Sequence, residues 1–191
     1  GRADQTLVVF TTDAGGQTLT GANNGALRGR KGTLYEGGIR VPMCMRWPGR
    51  IAKGSKIDEP VISLDFLPTF VAACGGTVDP AWKLDGVNLL PRLTGAVEQL
   101  DERVLYWRQR NDRAVRIGDH KLYVTNAGGD AERYIYDLAA DIGEAAPLEQ
   151  VDEDVAAKLN GALAKLDDEM VAAKWGGKRR GGKRKAPKEK K

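Results

Sequence analysis

Histidine is almost missing: His120 is the only one in 191 residues. No serine sits on a tight glycine turn either, so a Ser-His-Asp system is excluded. Cysteine is nearly as scarce. Cys44 and Cys74 lie thirty positions apart, with no CxxC and no nearby histidine pair. That spacing does not suit a zinc site, and two buried thiols are expected rather than a disulfide. No apolar run approaches the ~18 residues of a membrane span, and no internal repeat is visible. Residue 1 is Gly, and Thr6-Leu7-Val8-Val9-Phe10 already reads as core, so the chain looks like the back part of something longer.

What is present is a soluble, globular composition, 41% hydrophobic and 29% charged, long enough for one ordinary domain. The net charge of +4 is unevenly spread. Residues 176–191 hold nine of the 30 Lys/Arg and one of the 26 Asp/Glu, leaving a body with 21 basic and 25 acidic residues. The body is mildly acidic and the tail strongly basic. The tail lacks interleaved aromatics, so no specific nucleic-acid recognition is expected. Weak, charge-driven binding to acidic surfaces is the most it suggests, and it should be disordered.

Thr6 to Thr12 reads as a buried β-strand that stops at Asp13-Ala14-Gly15-Gly16. In open α/β sheets, the carboxyl ends of such strands carry the sites. Residues 17–38 read as a loop, and Arg40 to Trp47 as a second strand. Ser63 to Ala73 has helical spacing with Ser63 as the expected N-cap, although Pro68 falls inside it. Val78 to Gly95 reads as irregular. Four short strands around Val104–Trp107, Ala114–Ile117, Lys121–Val124 and Arg133–Tyr136, separated by turn residues, suggest an antiparallel meander. Asp152 to Trp175 is an amphipathic helix with a Val155, Leu159, Leu163, Leu166 and Met170 stripe, capped by Asp152.

The densest chemistry lies in Leu27-Arg28-Gly29-Arg30-Lys31-Gly32-Thr33-Leu34-Tyr35-Glu36-Gly37-Gly38-Ile39-Arg40-Val41-Pro42. Glycine lets backbone approach a ligand, and a lysine there is a point charge for an oxyanion. Lys31 is therefore a candidate sulfate or phosphate contact, or else part of a basic surface loop. Arg28 and Arg40 would assist it or brace the loop. Asp13 is a candidate ligand for a hard cation, or else a turn aspartate. Glu36 is expected to pin the loop through hydrogen bonds, and His120 to sit in a solvated hairpin turn.

This stretch resembles the second signature of the formylglycine-dependent sulfatases, with its Lys-Gly-Thr-x-Tyr-Glu-Gly-Gly pattern. The resemblance runs from about residue 4 to 150. Asp4 to Gly16 resembles the family's strand leading into an Asp-Asn-Gly metal motif. Arg46-Trp47-Pro48-Gly49 and Ser63 to Thr69 resemble the strand and helix that follow. Ala114 to Leu122 and Tyr136-Asp137-Leu138 resemble its C-terminal hairpins. The resemblance implies an α/β fold, the C-terminal part of an alkaline-phosphatase-like architecture, with a small antiparallel sheet subdomain and a C-terminal helix. The division expected is 1–100 for part of the α/β domain, 101–175 for the sheet and helix, and 176–191 for the basic tail.

Functionally, the resemblance implies hydrolysis of sulfate esters, including sulfated carbohydrates, with a formylglycine nucleophile and a calcium ion (Ca2+). Asp13 would be a metal ligand, Lys31 would contact the sulfate, and Arg28 would be a further substrate-binding candidate. An exported or lysosome-like compartment would go with it. Two departures stand out. No Cys/Ser-x-Pro-x-Arg sequence, the source of formylglycine, occurs in these 191 residues. Ala14 stands where the family has its amide ligand, and a methyl group cannot coordinate calcium. The chain alone is therefore expected to be inactive. The other readings are a non-catalytic module for anions or sulfated glycans, and a phosphodiesterase-like relative.

Overall fold

The computed structural model describes residues 1–125 and 131–171. Two antiparallel sheets organise them. The first is a two-stranded ribbon of β1 (Val8–Thr11) and β2 (Met43–Arg46), in which Val8 faces Arg46 and Phe10 faces Cys44. The second is a four-stranded meander, β3 (Val104–Gln109), β4 (Asp112–Ile117), β5 (His120–Thr125) and β6 (Glu132–Asp137), in that spatial order. Short strands separated by only a few residues tend to pair with their sequence neighbours, and the expected meander is what forms.

The helices are α1 (Glu36–Ile39), α2 (Phe66–Ala73), α3 (Leu90–Leu93) and α4 (Glu153–Glu169). Asp152 caps α4 as expected: its Oδ1 accepts from the Asp154 and Val155 amides at 3.0 and 3.1 Å. The helix ends at Glu169, with the half-exposed Met170 as its C-cap, and the expected continuation over 172–175 lies outside the described residues. The expected basic tail, 176–191, lies outside the described residues.

The meander is covered on both faces. Side chains alternate across a strand, so neighbouring residues of β4 and β5 serve different cores. Val115, Leu122 and Val124 pack with Leu159 and Leu163 of α4. Ala114, Tyr123 and Tyr136 pack with Leu34, and Tyr35 and Ile39 join them. The glycine-rich motif is thus seated on the meander, opposite α4. Each fully buried leucine contributes ~1.5–3 kcal/mol of transfer energy.

Several expectations are corrected. The first strand is not buried: Val8 is 47% and Phe10 63% exposed. A continuous apolar run suits a strand covered on both faces, yet β1 pairs only with β2 among the described residues. Cys44 and Cys74 are free but exposed rather than buried, Cys44 on that same ribbon and Cys74 at the end of α2. The second strand is shorter than Arg40–Trp47, beginning just after Pro42, which has no amide to donate to a ladder.

The span 17–38 is not all loop. It holds a 3-10 turn at Thr18–Thr20 and the start of α1, and two further short turns, Pro80–Trp82 and α3, break the irregular span 78–95. Ser63 opens a 3-10 turn rather than capping the helix, and the buried Asp65, at the N-cap position of α2, instead folds its carboxylate back to accept from the Ile62 amide at 2.9 Å. Pro68 then falls in the first turn of α2, where its missing N–H costs nothing. His120 begins β5, half-buried and facing Ile117 and Asp137, so Gly118-Asp119 makes the turn instead.

Candidate anion site

The end of β1 and the motif meet through backbone contacts that only glycine permits. The Gly15 amide donates to the Gly38 carbonyl at 3.0 Å, and the Gly37 amide to the Arg28 carbonyl at 2.7 Å. A Cβ on Gly15 would lie 1.8 Å from the Gly37 oxygen, and one on Gly38 2.1 Å from the Thr33 oxygen. A side chain at Gly15 would push the two segments apart, and one at Gly38 would force open the turn of the motif itself. The Lys31 amide donates to the Gly16 carbonyl at 3.1 Å. Asn24 ties the same two segments: its Oδ1 accepts from the Gly16 amide at 2.8 Å, and its Nδ2 donates to the Gly29 carbonyl at 3.0 Å.

These contacts bring Asp13 and Lys31, eighteen residues apart, side by side. Lys31 Nζ donates to Asp13 Oδ2 at 2.9 Å. That hydrogen bond holds the Asp13 carboxyl below the ordinary carboxylate range. Both side chains are open to solvent, 51% exposed for Lys31 and 83% for Asp13. Exposed pairs of this kind contribute little stability, so an incoming ion can displace either partner at small cost.

Arg28 is turned the other way. Its Nη1 donates to the Glu144 carbonyl at 2.9 Å and to the Tyr136 hydroxyl at 3.3 Å, and its guanidinium lies 4.2 Å from the Tyr35 ring centre. This is a bracing arrangement. Arg40 lies 3.6 Å from the Glu36 carboxylate, one helical turn away.

Glu36 pins the loop, though to partners that sequence reasoning missed. It is 3% exposed. Its Oε1 accepts from Lys121 Nζ of β5 at 2.9 Å, and Arg116 of β4 lies 4.0 Å from its Oε2. Lys121 is wholly buried and also lies 2.8 Å from Glu144 Oε1, a charge contact without hydrogen-bond alignment. Glu144 Oε2 in turn accepts from the Glu36 amide at 2.6 Å. Burial raises the Glu144 carboxyl above its usual value despite the lysine. One signal for Lys121 was available: pleat alternation puts it on the face of Tyr123, where an ammonium must be paired or exposed. Glu144 and Asn24 sit in irregular segments and carry no such signal.

Calcium takes six to eight oxygen ligands. Asp13 offers one carboxylate and Ala14 none, and among the described residues no group of three or more His, Cys, Asp or Glu could hold a metal ion. The donors of the described chain do not by themselves fit a calcium site. His120 stays on the meander, in β5.

Comparisons with known proteins place the chain in a family. Residues 1–76 match the sulfatase family model. Rat (Rattus norvegicus) steryl-sulfatase is 34% identical over 134 residues, which cover 60% of this chain and 23% of that one. Human (Homo sapiens) arylsulfatase A is 38% identical over 136 residues, covering 67% of this chain and 26% of that one. The crystal structure of Ps i-CgsB in complex with k-i-k-neocarrahexaose superposes with a TM-score of 0.75 at 31% identity, over 88% of this chain and 37% of that one. The chain belongs to the sulfatase family, as a C-terminal portion of its alkaline-phosphatase-like α/β fold. It spans about a quarter of the length of these two curated relatives.

Proposed function

We propose that this chain supplies the lysine-bearing part of an enzyme that hydrolyses sulfate esters. The observation that carries the reading is the Lys31 ammonium, displayed on a glycine-cradled loop 2.9 Å from Asp13 at the carboxyl end of β1. An ammonium placed so offers a fixed positive charge to a sulfuryl oxygen, and that attraction grows as negative charge builds on the oxygen during S–O cleavage. A carbohydrate sulfate is the favoured substrate, supported by the sugar held in Ps i-CgsB.

The nucleophile belongs outside these residues. In this family it is a formylglycine, which supplies attack at sulfur. Asp13 would give one carboxylate to a cation whose other ligands also lie outside the described residues, and Ala14 withholds the family's amide oxygen. Units at 1–100 and 101–175 and an exported or lysosome-like compartment accompany this reading. Among the described residues no helix is long and apolar enough to cross a membrane. Ala14 also keeps in play a second reading, a module that binds anions or sulfated glycans without turnover.

The test titrates the 191-residue chain with inorganic sulfate, followed by amide and lysine Nζ chemical shifts, and assays it with an aryl sulfate. Measurable sulfate binding, weakened at least tenfold by Lys31→Ala, is expected, with no turnover by the chain alone. Sulfate affinity unchanged in Lys31→Ala would sink the assignment. Tighter binding of phosphate than sulfate would move it to a phosphodiesterase-like relative.

A further inference from the structure

The buried charges between the motif and the meander have a geometry that packing does not require. Leu34, Tyr35 and Ile39 already bury apolar surface against Ala114, Tyr123 and Tyr136. Such burial is adhesive but non-directional. Into the same face the sequence puts Lys121, fully buried, with Glu36 and Glu144 at 3% and 0% exposure. Desolvating three charges is costly, and well-packed apolar residues in their place are often as stable or more so. What ion pairs add, and apolar contact does not, is a fixed relative position.

Their placement along the chain shows what is fixed. Glu144 grips the motif at two points: its carbonyl accepts from Arg28 at 2.9 Å, and its carboxylate accepts from the Glu36 amide at 2.6 Å. Lys121 holds the Glu36 side chain at 2.9 Å and the Glu144 carboxylate at 2.8 Å. Residues 28 and 36 are the two ends of the segment that displays Lys31. Glu144 itself has φ +53°, a left-handed conformation uncommon for a residue with a side chain, so the surrounding contacts hold it there.

We propose that Lys121 and Glu144 are positioning residues for Lys31: by clamping both ends of the 28–36 segment to the meander, they hold the ammonium beside Asp13, ready for a tetrahedral oxyanion. The anion site thus extends, through structure rather than contact, into the second sheet. The identity of the oxyanion rests on the proposed function above; the clamp does not.

The experiment uses the 191-residue chain with Lys121→Met, Glu144→Gln and, as a control from the opposite face, Leu163→Ala. Two readouts are taken at low temperature on folded protein: hydrogen exchange of the Gly15, Lys31 and Gly37 amides relative to those of β4 and β5, and affinity for inorganic sulfate. Either clamp variant should speed exchange at those three amides at least tenfold relative to the sheet, and weaken sulfate binding at least tenfold. Leu163→Ala should lower stability and leave both ratios within twofold. Folded clamp variants with relative exchange and affinity within twofold of wild type would overturn the proposal. So would global unfolding of both clamp variants, which would make the cluster a stability element. A wild-type chain that binds no sulfate would refute the anion reading, while amide exchange would still decide the clamp.

Discussion

The two faces of the β3–β6 meander are packed in opposite ways. Against α4 the buried contact is apolar, built from Val115, Leu122, Val124, Leu159 and Leu163, and its polar contacts stay at the half-exposed rim, where Asp167 pairs with Arg113 and accepts from the Tyr106 hydroxyl at 3.1 Å. Against the motif, tyrosines and small apolar groups surround a buried lysine and two buried glutamates. The buried part of the α4 face is held by non-directional apolar contact. The motif face accepts one approach, because each charge must find its partner. Both faces contribute stability, and on the clamp proposal the second also places Lys31.

That contrast can be broken. Lys121→Met leaves Glu144 buried without a cation and Glu36 with only the more distant Arg40 and Arg116, and should cost about 3–5 kcal/mol by chemical denaturation, with the disturbance centred on the motif. Leu163→Ala should cost about 2–5 kcal/mol and spread through the sheet and α4 without altering the environment of Lys31. Heteronuclear spectra of both variants separate the two patterns. Equal disturbance of the Lys31 loop by both would erase the distinction between the faces. Asp152→Ala removes the α4 cap and should cost about 1 kcal/mol, visible as fraying of that helix alone.

The smallest effect lies outside both faces and calibrates them. Glu59 accepts from Arg92 at 2.7 and 3.2 Å, and the guanidinium lowers its carboxyl to about 2. A carboxyl depressed on folding stabilises the protein above its ordinary value of 4.5, and that stability is lost as pH falls towards 2. Glu59→Gln should therefore lower Tm slightly at pH 6, about 1 kcal/mol or less, and flatten the acid slope between pH 4.5 and 2. An acid slope unchanged in Glu59→Gln would show that the pair is not formed in solution.

Much was legible because it is local. The meander followed from short β-rich runs between turns, and α4 from its leucine stripe and Asp152. The glycine-rich turn around Lys31 was also legible, whereas its meeting with Asp13 was not, since eighteen residues separate them. The misses share one cause: they depend on what lies across from a residue. Phe10 and Cys44 have apolar or thiol side chains that suit burial, yet sit on a ribbon that the described residues leave open. Of the two roles open to Arg28 in the sequence, substrate contact or brace, its contacts with Tyr136 and Glu144, more than a hundred positions away, are of the bracing kind, and no local pattern names those partners.

By itself, then, the sequence determined the family, the secondary structure of the C-terminal sheet and helix, and the residue types able to meet an oxyanion. Periodicity, turn chemistry and motif order are properties of neighbouring residues. Only the tertiary structure decided which cation faces solvent and which is buried, since Lys31 and Lys121 are the same side chain in different surroundings. The solvent exposure of one beside Asp13, and the enclosure of the other between two carboxylates, come from segments brought together over distances that no local pattern encodes.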